Sequence, residues 1–157
     1  PAVKKIRLYQ TEVKDDTVYV IYQENWTLET MKLEAIHHVA IICSSYETSK
    51  HFYVDILGLS ILRETYRAER DSYKLDLGLN GVQLELFSFP NPPLRPSYPE
   101  ARGLRHLAFA VDDLEGFIRR LEQHNIKVEP IRTDEITGKR FTFFADPDSL
   151  PLELYEV

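Results

Sequence analysis

The chain has 157 residues, 43% of them apolar and 28% charged, with a formal net charge of −6. That balance suits one soluble domain, or two half-domains sharing a core, and excludes a disordered chain. The negative charge disfavours nucleic acid and anionic membrane as partners, and no apolar run nears the roughly 20 residues of a spanning helix.

The single cysteine, Cys43, rules out an internal disulfide and fits a reducing compartment. The first residues carry neither a secretory nor a transit pattern, so the expected location is the cytoplasm.

Residues 1–30 are expected to form an N-terminal extension built as a β-hairpin. Ile6 and Leu8 alternate with charged residues, Val18 to Tyr22 is β-branched and aromatic, and Lys14-Asp15-Asp16 can turn between them. Met31, the only methionine, stands just after this stretch. Two explanations stand side by side: Met31 is the natural start, or the preceding residues are a native arm that pairs with a sheet edge.

Residues 31–157 read as one domain made of two similar halves, 31–89 and 104–157. The first half predicts a strand from Ala35 to Ile42. A helix follows, opened by Ser44 with Glu47 as a capping box and closed at Gly58. Strands follow at Ile61-Leu62 and Tyr73 to Leu77, and Asn80-Gly81 signals a tight hairpin into Val82 to Phe87. Phe89 to Pro99 holds five prolines and is read as an extended linker. The second half repeats the order. It has a strand from Leu104 to Val111, a helix capped by Asp112 and closed by Asn125, a strand from Val128 to Ile131, and a strand from Arg140 to Ala145. A turn at Asp146-Pro147-Asp148-Ser149 then leads to a last strand, Leu152 to Tyr155.

The halves stay in step at an offset of 68 residues without a gap. His38 matches His106, Ser44 matches Asp112, Glu47 matches Glu115, and Glu85 matches Glu153. Similarity at a fixed offset marks a duplicated supersecondary unit. Strand alternation puts Val39, Ile41, Leu84, Leu86, Leu107, Phe109, Leu152 and Leu154 on the faces the helices cover. His38, Glu85, His106 and Glu153 fall on the other faces, with Ala40 and Ala108 leaving room beside the histidines. One histidine in a strand is usually a core residue, and one glutamate between leucines is usually the wet face. Two of each at matched positions are a metal-ligand pattern. By the same parity His37 points to the helix side and is left out. His51 and His124 read as surface residues, and Cys43 as a buried small residue. Arg67, Arg70, Arg95 and Arg140 could meet a substrate carboxylate, but none is assigned a role.

His37-His38-Val39-Ala40-Ile41, Phe52-Tyr53, Leu57-Gly58, Gly103 to Phe109, Asp146-Pro147-Asp148 and Leu152-Glu153-Leu154 resemble the vicinal oxygen chelate superfamily, and within it glyoxalase I-like bacterial proteins. Ser149 departs from that pattern, standing where the family usually has glycine. The resemblance implies an α+β fold of two βαβββ modules forming a curled mixed sheet around a metal site. It implies one divalent metal ion held by His38, Glu85, His106 and Glu153. Zn²⁺ or Ni²⁺ suit such ligands first, and Mn²⁺, Co²⁺ or Fe²⁺ are also accommodated. The implied activity is that of a lactoylglutathione lyase-like enzyme, acting on the thiol hemithioacetal of a 2-oxoaldehyde through an enediolate. Its substrate would be a small molecule such as a glutathione adduct. Glu153 is the expected base and Glu85 the other candidate. A homodimer is expected, with the site inside one chain or shared by two. The alternatives are a metal-dependent epimerase or other proton-transfer enzyme, and a ligand-sequestering module that does no chemistry.

Overall fold

A computed structural model describes residues 10–21, 33–96 and 102–157. The chain divides into two compact units, Pro1–Ala35 and Ile36–Val157. In the first, β1 (Gln10–Lys14) pairs antiparallel with β2 (Thr17–Ile21). Asp15 and Asp16 make the turn at φ +50° and +56°, values that short polar side chains tolerate. A hairpin thus spans Gln10–Ile21, while Ile6, Leu8 and Met31 lie outside the described residues. No helix among the described residues is long and apolar enough to cross a membrane.

The second unit contains the repeat. Its first half runs β3 (His38–Cys43), α1 (Tyr46–Lys50), a π-helical stretch (His51–Ile56), β4 (Ser60–Arg67), β5 (Ser72–Leu79) and β6 (Val82–Ser88). Its second half runs β7 (Leu107–Val111), α2 (Leu114–Gln123), β8 (Arg132–Thr133), β9 (Arg140–Ala145) and β10 (Pro151–Glu156). The strand orders are β3-β6-β5-β4 and β7-β10-β9-β8. In each sheet the first and last strands of the module pair in parallel and the others antiparallel. This is the expected α+β architecture of two βαβββ modules, arranged as two open mixed sheets.

Several local expectations shift for visible reasons. The first helix is capped one residue late, at Ser45, without the expected capping box. The Ser44 amide instead donates to Asp148 Oδ2 at 2.9 Å. Asp113 rather than Asp112 caps α2, accepting from the Gly116 amide at 2.8 Å. No strand forms at the expected Val128 to Ile131, and a two-residue strand forms just beyond it, at Arg132–Thr133. Pro130 has no amide to offer a ladder, and the backbone contact there is Glu129 N–H to the Phe143 carbonyl at 2.8 Å. The turn and helix-end signals hold: Gly58, Asn80, Gly81 and Asn125 all take positive φ.

One core joins both halves. Leu75, Leu77, Leu84 and Leu86 of the first sheet, Leu152, Leu154 and Phe144 of the second, and Phe52, Tyr53, Leu114 and Leu121 from the helical segments form a single buried cluster. Buried within it, Tyr53 donates its hydroxyl to Asp146 Oδ2 at 2.9 Å. Asp146 Oδ1 accepts from the Leu150 and Asp148 amides at 2.7 and 2.9 Å, which closes the β9–β10 turn. Burial pushes the Asp146 carboxyl above its usual range, against the pull of these hydrogen bonds.

Two stability outcomes follow from this turn. Ser149 sits at φ +66°, a conformation that costs a residue with a Cβ. Ser149→Gly should therefore raise stability by about 0.5–1 kcal/mol, read as a higher midpoint in thermal melting. Tyr53→Phe removes a buried donor to a carboxylate and should cost about 1–3 kcal/mol in urea unfolding.

Candidate functional site

The strand register decides which side chains share a face. Ala40 lies opposite Glu85 and His38 opposite Gln83, so His38, Ala40, Gln83 and Glu85 share the outer face of the first sheet. Asp76 stands opposite Glu85 on the neighbouring strand, and Lys74 opposite Phe87. In the second sheet Ala108 and Phe143 flank Glu153 on either side. The alanines are thus the close neighbours of the glutamates, and both glutamates are buried, at 8% relative exposure.

On the first sheet His38 Nε2 lies 3.8 Å from Glu85 Oε2. Glu85 Oε1 accepts from Lys74 Nζ at 2.9 Å and from Gln83 Nε2 at 3.0 Å. Lys74 also bridges to Asp76 Oδ1 at 2.7 Å. These two carboxylates, Asp76 first and then Glu85, hold the Lys74 ammonium above its ordinary pKa. His37 Nδ1 approaches His38 Nδ1 at 2.9 Å. Strand parity placed His37 on the helix side, but β3 begins only at His38, so alternation does not govern His37.

On the second sheet His106 Nε2 lies 2.9 Å from Glu153 Oε2. The His106 ring meets Phe143 edge to face, with centroids 5.2 Å apart. Its Nδ1 is buried without a hydrogen-bond partner. Glu153 has one described polar partner, His106, whereas Glu85 is held from three sides. The guanidinium of Arg132 lies 5.1 Å from the ring centres of both Phe141 and Phe143.

The structure therefore brings the four expected residues together as two pairs. Among the described residues, no three His, Cys, Asp or Glu side chains gather into one group. The reason is the shared core. Both sheets turn their apolar faces into it, and each His–Glu pair lies on the opposite face of its own sheet. Each pair still fits half of a divalent-ion site. It joins a borderline nitrogen donor to a hard carboxylate, and His106 retains a buried ring nitrogen with no partner of its own.

The remaining sequence candidates fall as follows. His51 and His124 are exposed, and His51 pairs with Asp55 at 2.8 Å. Cys43 is 1% exposed and burial raises its thiol, so it is a packing residue. Arg140 is taken up by Glu115 and Glu156. Arg67 lies over Phe87 and Phe89. Lys74, Gln83, Arg132 and Phe143 were not singled out in the sequence. For Lys74 a signal existed: it alternates against Leu75 and so shares the face of Glu85. Arg132 lies two residues after Pro130 and just beyond the expected strand, so it carries no strand signal.

Known proteins show the same organisation. YwkD of Bacillus subtilis (strain 168) is 64% identical over 127 residues, which span 80% of this chain and 99% of that protein. The crystal structure of the glyoxalase family protein from Enterococcus faecalis superposes with a TM-score of 0.73 at 54% identity, over 78% of this chain and 98% of that one. The metallothiol transferase FosB of Staphylococcus haemolyticus is 30% identical over 128 residues, covering 78% of this chain and 84% of that protein. The family model described as Glyoxalase/Bleomycin resistance protein/Dioxygenase superfamily matches residues 35–154, and the chain belongs to that superfamily.

Proposed function

We propose that this chain is a divalent-metal-dependent lyase or isomerase of the glyoxalase I type, acting on the thiol hemithioacetal of a 2-oxoaldehyde. The observation that carries the reading is the matched His–Glu pair on each sheet, His38 with Glu85 and His106 with Glu153. Likeness to a glyoxalase family protein and to a metallothiol transferase supports metal and thiol chemistry.

His38, Glu85, His106 and Glu153 would hold the ion, with Zn²⁺ or Ni²⁺ best suited to that donor set. When bound, the ion supplies Lewis-acid stabilisation of the charge that develops on the two substrate oxygens. Because one chain turns its two pairs outward, the four-ligand site is assembled between two copies. His38 and Glu85 of one copy then face His106 and Glu153 of the other.

The reaction moves one proton between adjacent carbons and needs no oxidant. A base breaks the C–H bond at the hemithioacetal carbon and a C–H bond forms at the carbonyl carbon, while the hydroxyl proton of the first carbon is lost and the oxygen of the second gains one, so that no net electrons or protons are exchanged. The hydrogen-bond pattern favours Glu153 for this work. Lys74 and Gln83 fix one oxygen of Glu85, and an oxygen so engaged is a weak base. Glu153 is free of such partners among the described residues and is flanked by Ala108 and by the apolar ring of Phe143.

Likeness to FosB also favours a second reading, transfer of a thiol to a small electrophile at the same centre. Thiol consumption without isomerisation of methylglyoxal plus glutathione would select it.

Three outcomes test the proposal. His38→Ala with His106→Ala should abolish stoichiometric metal binding by elemental analysis, and full occupancy in that variant would refute it. A His38→Ala chain mixed with a Glu153→Gln chain should regain activity that neither has alone, because one of the two sites in the mixed dimer is intact. A monomer by light scattering would remove the shared site. Glu153→Gln should keep the metal and lose roughly 10²–10⁴-fold in turnover. Near-normal turnover there, with Glu85→Gln inactive, would transfer the role of base to Glu85.

A further inference from the structure

A cavity of about 580 Å³ opens beside His106. Among the described residues its wall includes the cationic side chains of Arg95, Lys127 and Arg132, with Arg105 beside them, and one carboxylate, Glu129. That concentration of positive charge stands out in a chain of net charge −6. Glu129 Oε2 neutralises part of it, pairing with Arg132 Nη2 at 2.9 Å. Arg132 is held in place by the Phe141 and Phe143 rings beneath it. Arg95 also lines the cavity, fixed by its Nη2 donating to the Leu104 carbonyl at 2.6 Å, and its Nε is buried with no partner. A pocket with an excess of cations, one of them a buried donor without an acceptor, is built to receive an oxyanion. Its volume suits a small molecule rather than a chain segment.

We infer that this cavity binds the anionic end of the substrate, a group carrying two negative charges such as a phosphate, a phosphonate or a pair of carboxylates. Arg132 and Lys127 would supply the charge and Arg95 the second guanidinium. His106 borders both the cavity and Glu153, so an anion seated here lies next to the half-site of the second sheet. Placing it as the substrate pocket rests on the function proposed above, whereas the binding of an oxyanion does not.

The test is calorimetric titration of the full, metal-stripped chain with sodium phosphate and with sodium malonate, at ionic strength held constant with sodium chloride. Saturable binding of at least one anion is expected, weakened about tenfold or more in Lys127→Gln/Arg132→Gln and in Arg95→Gln/Lys127→Gln. The second pair leaves the Arg132 stack on the phenylalanines intact and guards against misfolding of the first. Arg70→Gln/Arg119→Gln removes the same charge elsewhere and should bind as the parent does. The tighter anion distinguishes a phosphate or phosphonate group from a dicarboxylate. Absence of binding above the chloride background, or equal weakening in all three double variants, would overturn the inference. Because no metal is present, a chain that fails as a metalloenzyme can still pass this test, and one that binds metal can still fail it.

Discussion

The arrangement of this domain depends on one buried contact surface, the meeting of the helix-covered faces of two four-stranded sheets. Leu75, Leu77 and Leu86 on one side and Leu152 and Leu154 on the other are at most 1% exposed. Each such leucine contributes roughly 1.5–3 kcal/mol when fully removed from water. Isolated, either sheet would leave a leucine-rich face in solvent. Packed together, they satisfy each other and leave the opposite faces for chemistry.

That packing sets the geometry of the site. A strand offers a side chain to one of two faces only, so burying the leucines turns His38, Glu85, His106 and Glu153 outward. The two pairs are then products of a single rule applied twice, once per module. Their surroundings differ because the modules have diverged around them. The first surrounds Glu85 with Lys74, Gln83 and Asp76, a polar setting that fixes the carboxylate. The second surrounds Glu153 and His106 with Phe143, a setting with fewer competing hydrogen bonds. Two carboxylates that match in sequence are thereby given unequal sets of hydrogen-bond partners.

The link between modules also has a polar component. Asp146 terminates the β9–β10 turn with two backbone amides and reaches Tyr53 of the other module with its second oxygen. A buried carboxylate is tolerated there because three donors replace its water. Ser44 and Asp148 repeat the connection nearby, at the start of the first helix. Asp146 and Asp148 are therefore concerned with how the halves fit.

Much of this was legible from the residues alone. The offset of 68 identified the duplication, and alternation in Leu84-Glu85-Leu86 and Leu152-Glu153-Leu154 assigned each side chain a face. Asn80-Gly81, Gly58 and Asn125 marked turns and helix ends, because short-range steric rules operate within a few residues. Elements whose local signal was weak came out differently. The strand expected at Val128 to Ile131 formed only beyond Pro130, both helix caps moved by one residue, and His37 escaped the strand parity because it precedes the strand. What sequence could not decide was which way the modules face one another. Periodicity fixes the two sides of a sheet but not what each side packs against, and two βαβββ units can meet edge to edge or through their helices. Only the tertiary structure chose the second, in which the leucine faces share a core and each sheet carries one His–Glu pair on its other face. The cavity of Arg95, Lys127 and Arg132 is likewise a tertiary product. Its cations come from segments that sequence separates and that the fold brings to one cavity.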